Sequence, residues 1–193
     1  DNNDMLVSIS DMRIIDEMTI QDIEVWGHTI GQSSAIVVDT NIPIPVIEYL
    51  TDKYSNIPLF LDPVSFAKTS KILNLIGRFH TVKPNRLETE LITGIKISDK
   101  DSMLTAAQKI FDMGCKQIFI TLGEEGVFYY DGEDFGLHLH KGADVISANG
   151  AGDAFTAGVV YGFLKLNSIK ETAEFASAAA VIALRSVNTI SDE

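Results

Sequence analysis

The chain has 193 residues, of which 46% are hydrophobic and 22% are charged, and its formal net charge is −12. This composition is typical of a globular domain with a sizeable core, and it excludes an intrinsically disordered chain. The negative charge and the lack of a basic stripe argue against nucleic acid as a partner.

Short apolar runs alternate with helical patterns through the first two thirds of the chain. We predict strands at Met5–Ile9, Ala35–Val38, Pro58–Leu61, Phe79–Val82 and Gln117–Thr121. Helical spacing of apolar residues predicts one helix after Pro43 and Pro45 and another around residues 103–111, which Gly114 ends. This alternation favours β-α-β units, and so a mostly parallel sheet with helices on both faces.

The pattern changes after Thr121. Val127–Tyr130 and Phe135–His140 are separated by turn-forming residues and predict an antiparallel hairpin at the edge of the sheet. Two helices, from about 151 to 166 and from about 169 to 185, follow it. We therefore expect a single α/β domain over residues 1–193.

Three further expectations come from what the sequence lacks. No apolar run approaches the roughly 20 residues of a membrane span, and no signal-peptide pattern opens the chain, so we expect a soluble, cytoplasmic protein with no membrane partner. The single cysteine, Cys115, excludes an internal disulfide and a multi-cysteine zinc site. We expect it to be a buried, unreactive residue.

The most informative motif is Gly150-Ala151-Gly152-Asp153, which opens a helical pattern. Glycine allows a tight turn and close approach of a ligand, and the first N–H groups of a helix favour an anion such as phosphate. A carboxylate beside that phosphate would suit proton transfer from a hydroxyl. The alternative is purely structural, with Asn149 capping the helix and Asp153 favouring its dipole. The motif is not a Walker P-loop, and Phe155 makes it a poor dinucleotide fingerprint, which argues against an oxidoreductase.

A second motif, Lys83-Pro84-Asn85-Arg86-Leu87-Glu88, follows a predicted strand. Asn85 and Glu88 have the spacing of a helix capping box, which is the structural alternative. Ligands of open α/β sheets gather beyond the carboxyl ends of the strands, where this motif and the glycine motif would both lie. There the amide and the carboxylate could hold Mg²⁺ through its waters, and Lys83 could reach a phosphate.

A third motif, Thr121-Leu122-Gly123-Glu124-Glu125-Gly126, ends another strand and is either a plain hairpin turn or a backbone-rich surface for a nucleotide. Asp11 and Asp62 lie near strand ends, where aspartate also suits turns, so a site role for either stays open. His138 and His140 would share one face of a strand, but no third metal ligand accompanies them.

In this order and spacing, the three motifs resemble the ribokinase or phosphofructokinase B (pfkB) family of carbohydrate kinases. The similarity runs from about Met5 to Ile190. Within the family, the segments 9–14, 61–65 and 83–88 look most like pseudouridine kinases. The resemblance implies a ribokinase-like fold and ATP-dependent phosphoryl transfer to a hydroxyl of a sugar or nucleoside, with pseudouridine favoured.

The resemblance also implies a role for each site residue. Asp153 would be the base, and the amides of Gly150, Ala151 and Gly152 would form an anion hole for the transferring group. Asn85 and Glu88 would organise Mg²⁺ and the nucleotide phosphates, Lys83 would bind the same phosphates, and Thr121 and Gly123 would line the ATP site.

Two departures from the family pattern leave alternatives open. Family members often have Asp-Thr-Thr before the glycines, where this chain has Ser147-Ala148-Asn149, so the use of a monovalent cation such as potassium is open. The resemblance also implies an N-terminal part and a lid that are not present before Met5. The alternative function is therefore a nucleotide-binding fragment or regulatory module without turnover.

A homodimer is an open prediction, because a chain without its lid would expose apolar edges.

Overall fold

The computed structural model describes residues 11–139 and 150–185. The strands are β1 (Ile36–Asp39), β2 (Leu59–Asp62), β3 (Thr81–Val82), β4 (Gln117–Thr121), β5 (Val127–Tyr130) and β6 (Phe135–His138). The helices are α1 (Arg13–Asp16), α2 (Ile20–Glu24), α3 (Gly27–Gly31), α4 (Ile44–Lys53), α5 (Phe66–Thr69), α6 (Arg86–Thr93), α7 (Lys100–Asp112), α8 (Ala151–Lys165) and α9 (Ile169–Leu184). Two 3₁₀ segments lie at Leu73–Arg78 and Gly123–Glu125.

The six strands form one sheet in the order β1-β2-β3-β4-β5-β6. The pairs from β1 to β4 are parallel, whereas β4 with β5 and β5 with β6 are antiparallel. The mostly parallel sheet and the antiparallel hairpin predicted from the sequence are thus confirmed. The predicted strand Met5–Ile9 and the predicted end of the hairpin at His140 lie outside the described residues.

Side chains alternate between the two faces of the sheet, and each face carries its own core. On β4, Ile118 and Ile120 join one core and Phe119 joins the other. The first core contains buried residues of α4, α6 and α7, and the second contains those of α8 and α9. Because successive strand residues point to opposite faces, a run of consecutive apolar residues indicates a strand buried on both sides. The expectation of helices on both faces is therefore confirmed.

Strand β3 is shorter than the sequence predicts. The apolar run Phe79–Val82 suggested four strand residues, but only Thr81 and Val82 are in the strand, and Phe79 closes the preceding 3₁₀ segment. Phe79 is 1% exposed, so its apolar character reflects burial and not strand pairing. Backbone bonds from His80 N to Leu59 O (2.9 Å) and from Lys83 N to Leu61 O (3.0 Å) still fix β3 against β2.

Helices α8 and α9 pack closely because two glycines on α8 carry no side chain. A Cβ atom on Gly158 would lie 2.6 Å from the Cα atom of Ala176, and one on Gly162 would overlap Thr172. Such distances leave no room for any larger residue. Among the described residues, no helix combines the length and the apolar character needed to cross a membrane.

Candidate active site

The glycine motif forms the start of α8, as predicted. Gly150 is the residue before the helix and has φ +83°, a left-handed conformation that glycine adopts at little cost. Gly152 and Asp153 are exposed in the first turn, where the backbone N–H groups have no partner four residues earlier in the helix. Asn149, the alternative cap, and the segment Ser147–Asn149, on which potassium use depends, lie outside the described residues.

Lys83 lies beside this helix start. Its Nζ atom is 3.7 Å from the position that a Cβ atom would take on Gly152, and it forms an ion pair of 2.9 Å with Oδ2 of Asp62. The side chains of Lys83 and Asp62 are only 11% and 16% exposed. Thr156 Oγ1 lies 3.1 Å from the same Asp62 oxygen and 3.0 Å from the carbonyl oxygen of Gly152. This network joins β2, the end of β3 and the first turn of α8.

Asn85 and Glu88 form the capping box that the sequence pattern predicts. Asn85 Oδ1 accepts a bond from Glu88 N, and Glu88 Oε2 accepts one from Asn85 N, both at 2.9 Å. The capping box begins α6 and therefore also sets the position of Glu88, which is 2% exposed. Its second oxygen, Oε1, is buried and has no hydrogen-bond partner.

The electrostatic surroundings of Glu88 include both members of the nearby ion pair. Burial raises the pKa of Glu88, the bond from Asn85 and the charge of Lys83 lower it, and the charge of Asp62 raises it. Burial is the largest of these effects, because a desolvated carboxylate is disfavoured as an anion. The charges of both Lys83 and Asp62 thus act on Glu88 at this edge of the sheet.

Thr121 lies next to the capping box. Its backbone N donates to Pro84 O over 2.9 Å, and Thr121 forms an isolated parallel bridge with Asn85. The chain then turns through the 3₁₀ segment, where Gly123 has φ +62° and open space around its Cα atom. The motif is therefore the turn of a hairpin, as its structural interpretation predicts. Arg86 and Glu125 form an ion pair of 2.7 Å between the second and third motifs.

The contacts bring the predicted site residues together in two groups. Lys83 lies beside Gly152 near the exposed Asp153, whereas Asn85 and Glu88 lie beside Thr121. Glu88 connects the groups electrostatically because its pKa responds to the charge of Lys83. Gly123 lies further along the turn and has no described side-chain contact with either group.

Sequence reasoning left a site role for Asp62 open and missed Thr156. Asp62 is the last residue of β2, and Lys83 directly follows β3. The two strands are parallel neighbours, so their carboxyl ends lie at the same edge of the sheet. That relation was available from the predicted strands. Thr156 falls one helical turn after Gly152, so the i, i+4 spacing places both residues on one side of α8.

The sequence also singled out Asp11, two histidines and Cys115. Asp11 is exposed and paired with Arg13. Within the described ranges, no group of three or more His, Cys, Asp and Glu residues could hold a metal ion; His140 lies outside those ranges. Cys115 is buried, as predicted, and burial raises the pKa of its thiol to about 12, so it stays protonated at neutral pH.

The sheet order and the two helical layers define a ribokinase-like α/β protein. Residues 46–193 match the pfkB family carbohydrate kinases. The chain is also 33% identical over 183 residues to the pseudouridine kinase of Escherichia coli K12, covering 94% of this chain and 58% of the relative. The chain therefore belongs to the pfkB family of carbohydrate kinases, which confirms the resemblance found in the sequence.

Other relatives agree with this assignment. The ribokinase of Haemophilus influenzae is 29% identical, with 88% of this chain and 55% of the relative covered. The chain spans about half the length of the curated relatives it matches.

Solved structures show the same fold. A Clostridium perfringens protein considered a sugar kinase superposes with a TM-score of 0.89 at 33% identity, covering 98% of this chain and 60% of that one. The Arabidopsis thaliana ribokinase complexed with ribose and ATP gives a TM-score of 0.73 at 23% identity, with 91% and 57% covered. The expected ribokinase-like fold is thus confirmed.

Proposed function

We propose that this chain forms the nucleotide-binding and catalytic part of an ATP-dependent kinase that phosphorylates a hydroxyl group of a sugar or nucleoside. The observation that carries the proposal is the start of α8, where Gly152 and Asp153 are exposed beside the ammonium group of Lys83. The positive end of the helix dipole and the ammonium group of Lys83 lie side by side, and together they favour binding of the phosphate groups of a nucleotide.

Each predicted residue has a role in this proposal. The backbone N–H groups of Gly150, Ala151 and Gly152 stabilise negative charge on the transferring phosphoryl group, and the ammonium group of Lys83, which is paired with Asp62, has further N–H donors for the same group. Asp153, one residue further along the turn, accepts the proton of the acceptor hydroxyl. Its exposure leaves room for an acceptor to approach. Thr121 and Gly123 would line the nucleotide site.

The residues present also fit a magnesium ion bound together with the nucleotide. Mg²⁺ is held in such sites by one or two carboxylates, phosphates and water. Glu88 offers a buried oxygen without a protein partner, whereas Oδ1 of Asn85 already caps α6 and would act through water. When bound, the ion would supply charge neutralisation for the phosphates.

The proposal extends to the identity of the phosphate acceptor. Pseudouridine is favoured because the Escherichia coli pseudouridine kinase matches at 33% identity, above the ribokinase and 1-phosphofructokinase relatives. A second candidate function is a nucleotide-binding module without turnover. The incomplete coverage of the kinase relatives favours this alternative for the chain by itself.

Calorimetry with Mg·ATP, followed by a coupled assay with pseudouridine and ribose, separates the two functions. Binding with turnover supports the kinase. Binding without turnover favours the module, and no binding contradicts both. If turnover is present, Asp153→Asn is expected to lower it by a factor of about 10²–10⁴ while Mg·ATP affinity stays the same, since a positioned base contributes that much. Near wild-type turnover in Asp153→Asn would contradict the role of Asp153 as base.

A matched control is the exposed residue Glu174 on α9. Glu174→Gln removes the same charge from the surface of the same helical layer. It is expected to leave both affinity and turnover unchanged, so that any effect of Asp153→Asn reflects its position and not the net charge.

A further inference from the structure

A cavity of about 300 Å³ lies at the opposite end of the sheet from the candidate active site. It is formed by the three loops that lead into β2, β3 and β4, which all enter the sheet at its amino-terminal edge. Its polar lining consists of Ser55, Asn56, Arg78, His80 and Lys116. No acidic side chain is among its lining residues, although the chain as a whole carries a charge of −12.

The walls of this cavity are held by backbone contacts. Lys116 N and Gln117 N both donate to His80 O, over 2.7 and 3.0 Å. A Cβ atom on Gly77 would overlap the carbonyl group of Met113, and one on Gly114 would overlap Gly77. Gly114 also has φ +130°, a conformation that strongly favours glycine. The loops that contain Gly77 and Gly114 therefore approach as closely as their backbones allow, and this contact fixes the walls of the cavity.

The basic groups of the cavity keep donors available. Both hydrogen bonds that the structure shows for the Arg78 side chain use Nη1, to Asp52 (2.6 Å) and to Thr51 (3.4 Å). A guanidinium group has further N–H donors on Nε and Nη2. Lys116 is exposed, with its Nζ atom 5.6 Å from the centre of the Phe111 ring.

His80 also lines the cavity, and its Nδ1 atom lies 2.8 Å from Thr81 Oγ1, which leaves Nε2 as its other polar atom. It is half-buried, and its ring packs edge-on against Phe163 at 4.9 Å between centroids. Burial is the larger cause that lowers the pKa of His80, and repulsion from the nearby positive charge of Lys116 lowers it further. An anion in the cavity would relieve that repulsion.

We propose that this cavity is a binding site for a phosphate-type anion, separate from the site at the start of α8. Lys116 and Arg78 supply the positive charge, and Ser55, Asn56 and His80 supply hydrogen-bond donors at its walls. The ligand is either inorganic phosphate or the phosphate group of a small metabolite, because both present the same oxygen acceptors. The volume of the cavity, about 300 Å³, is at the lower end of the range for small-molecule sites.

The test is a titration of the ¹⁵N-labelled chain with sodium phosphate at constant ionic strength, followed by NMR. We expect saturable shifts that reach their plateau below ~10 mM phosphate, at the amides of residues 55–58, 77–80 and 114–116. Lys116→Gln and Arg78→Gln are each expected to weaken the binding about tenfold, as expected for loss of one charged contact. Lys170→Gln, at an exposed position on α9, makes the same change of charge and is expected to have no effect.

Three results would overturn the proposal: shifts that rise linearly without saturation, saturable shifts confined to the start of α8, or binding that Lys116→Gln leaves unchanged. A parallel titration with ribose 5-phosphate identifies the source of the anion. Equal affinities mean that the phosphate group alone is recognised, and a higher affinity for the phosphate ester means a phosphorylated metabolite. No step of this test uses turnover, so its outcome is independent of the proposed kinase function.

Discussion

The two ends of the parallel sheet hold their ion pairs in opposite ways. At the carboxyl end, Lys83 and Asp62 are 11% and 16% exposed, and the pair is tied to Thr156 on α8. At the amino end, Arg78 and Asp52 form a shorter pair of 2.6 Å, but they are 41% and 71% exposed. Distance alone would rank the second pair as stronger. Burial reverses that ranking, because water and salt screen an exposed pair.

The difference separates a cation held inside the fold from a cation at its surface. A buried cation that loses its partner destabilises the fold, so Lys83 is held in one place beside Gly152. An exposed cation can exchange its partner for an incoming anion at little cost. Four substitutions test this contrast, from the largest expected effect to the smallest.

Asp62→Ala is expected to have the largest effect on stability. It leaves the ammonium group of Lys83 buried without a counter-charge, and loss of one member of a buried pair costs about 3 kcal/mol. Urea denaturation measures the change in the free energy of unfolding. The double variant Asp62→Ala/Lys83→Met, which removes both charges, should recover most of the loss. A cost below ~1 kcal/mol for Asp62→Ala would mean that the pair is effectively solvated.

Glu88→Gln separates ligand binding from stability. We expect Mg·ATP affinity to fall about tenfold, or ~1.4 kcal/mol, since the free oxygen is no longer anionic. The amide oxygen of Gln can still accept the bond from Asn85 N, so α6 keeps its cap. Calorimetry on the variant and on the wild type measures the difference, and an unchanged affinity would exclude Glu88 from the metal site.

The same variant has a defined pH signature. Because burial raises the pKa of Glu88 above its ordinary value of 4.5, the folded state binds the proton more tightly than the unfolded state. The stability contributed by this group is therefore present below pH 4.5 and is lost as the pH rises through the raised pKa. Relative to the wild type, Glu88→Gln should gain stability over that interval, and a flat difference would contradict the shift.

Thr156→Val tests the link between the ion pair and α8. Valine keeps the shape but removes the hydroxyl between Asp62 and the carbonyl of Gly152, at an expected cost of about 1 kcal/mol. Thr156→Ser restores the hydroxyl and should recover most of that stability. If serine is no better than valine, the lost packing and not the hydrogen bond explains the change.

Asp52→Ala should have the smallest effect, within about 0.5 kcal/mol, because the pair with Arg78 is exposed. Thermal unfolding at low and high salt measures it. A loss comparable to that of Asp62→Ala would remove the contrast between the two ends of the sheet. Phosphate binding in the amino-end cavity should persist in this variant or strengthen, since an acid beside Arg78 is gone.

Much of the fold was predictable because its strands are buried on both faces. Four of the strands in the described ranges were predicted to within one residue at each end; the hairpin strand Phe135–His138 was predicted from its start. The bounds of the short strand β3 were not predicted. Phe79 is apolar because it is buried in the core, and the sequence pattern does not distinguish a buried residue before a strand from a residue within it. The capping box at Asn85 and Glu88 follows local rules and was recognisable.

The site was only partly predictable, since it depends on contacts between distant elements. The glycine motif and Lys83 could be found from their own sequence context. The bond between Thr156 and Asp62 joins residues 94 positions apart, and only the packing of α8 over β2 creates it. The roles of Asp153, Asn85, Glu88, Thr121 and Gly123 in catalysis and binding stay predictions.

The glycines of α8 have a further consequence for variation in this protein. Since Gly158 and Gly162 lie against the backbone and side chains of α9, any added methyl group must push the whole helix outward. Such a displacement would carry Gly152 and Asp153 with it, although both lie well away from the altered residue. Substitutions at this contact between α8 and α9 would thus change the position of the candidate active-site residues at the start of α8 without touching them.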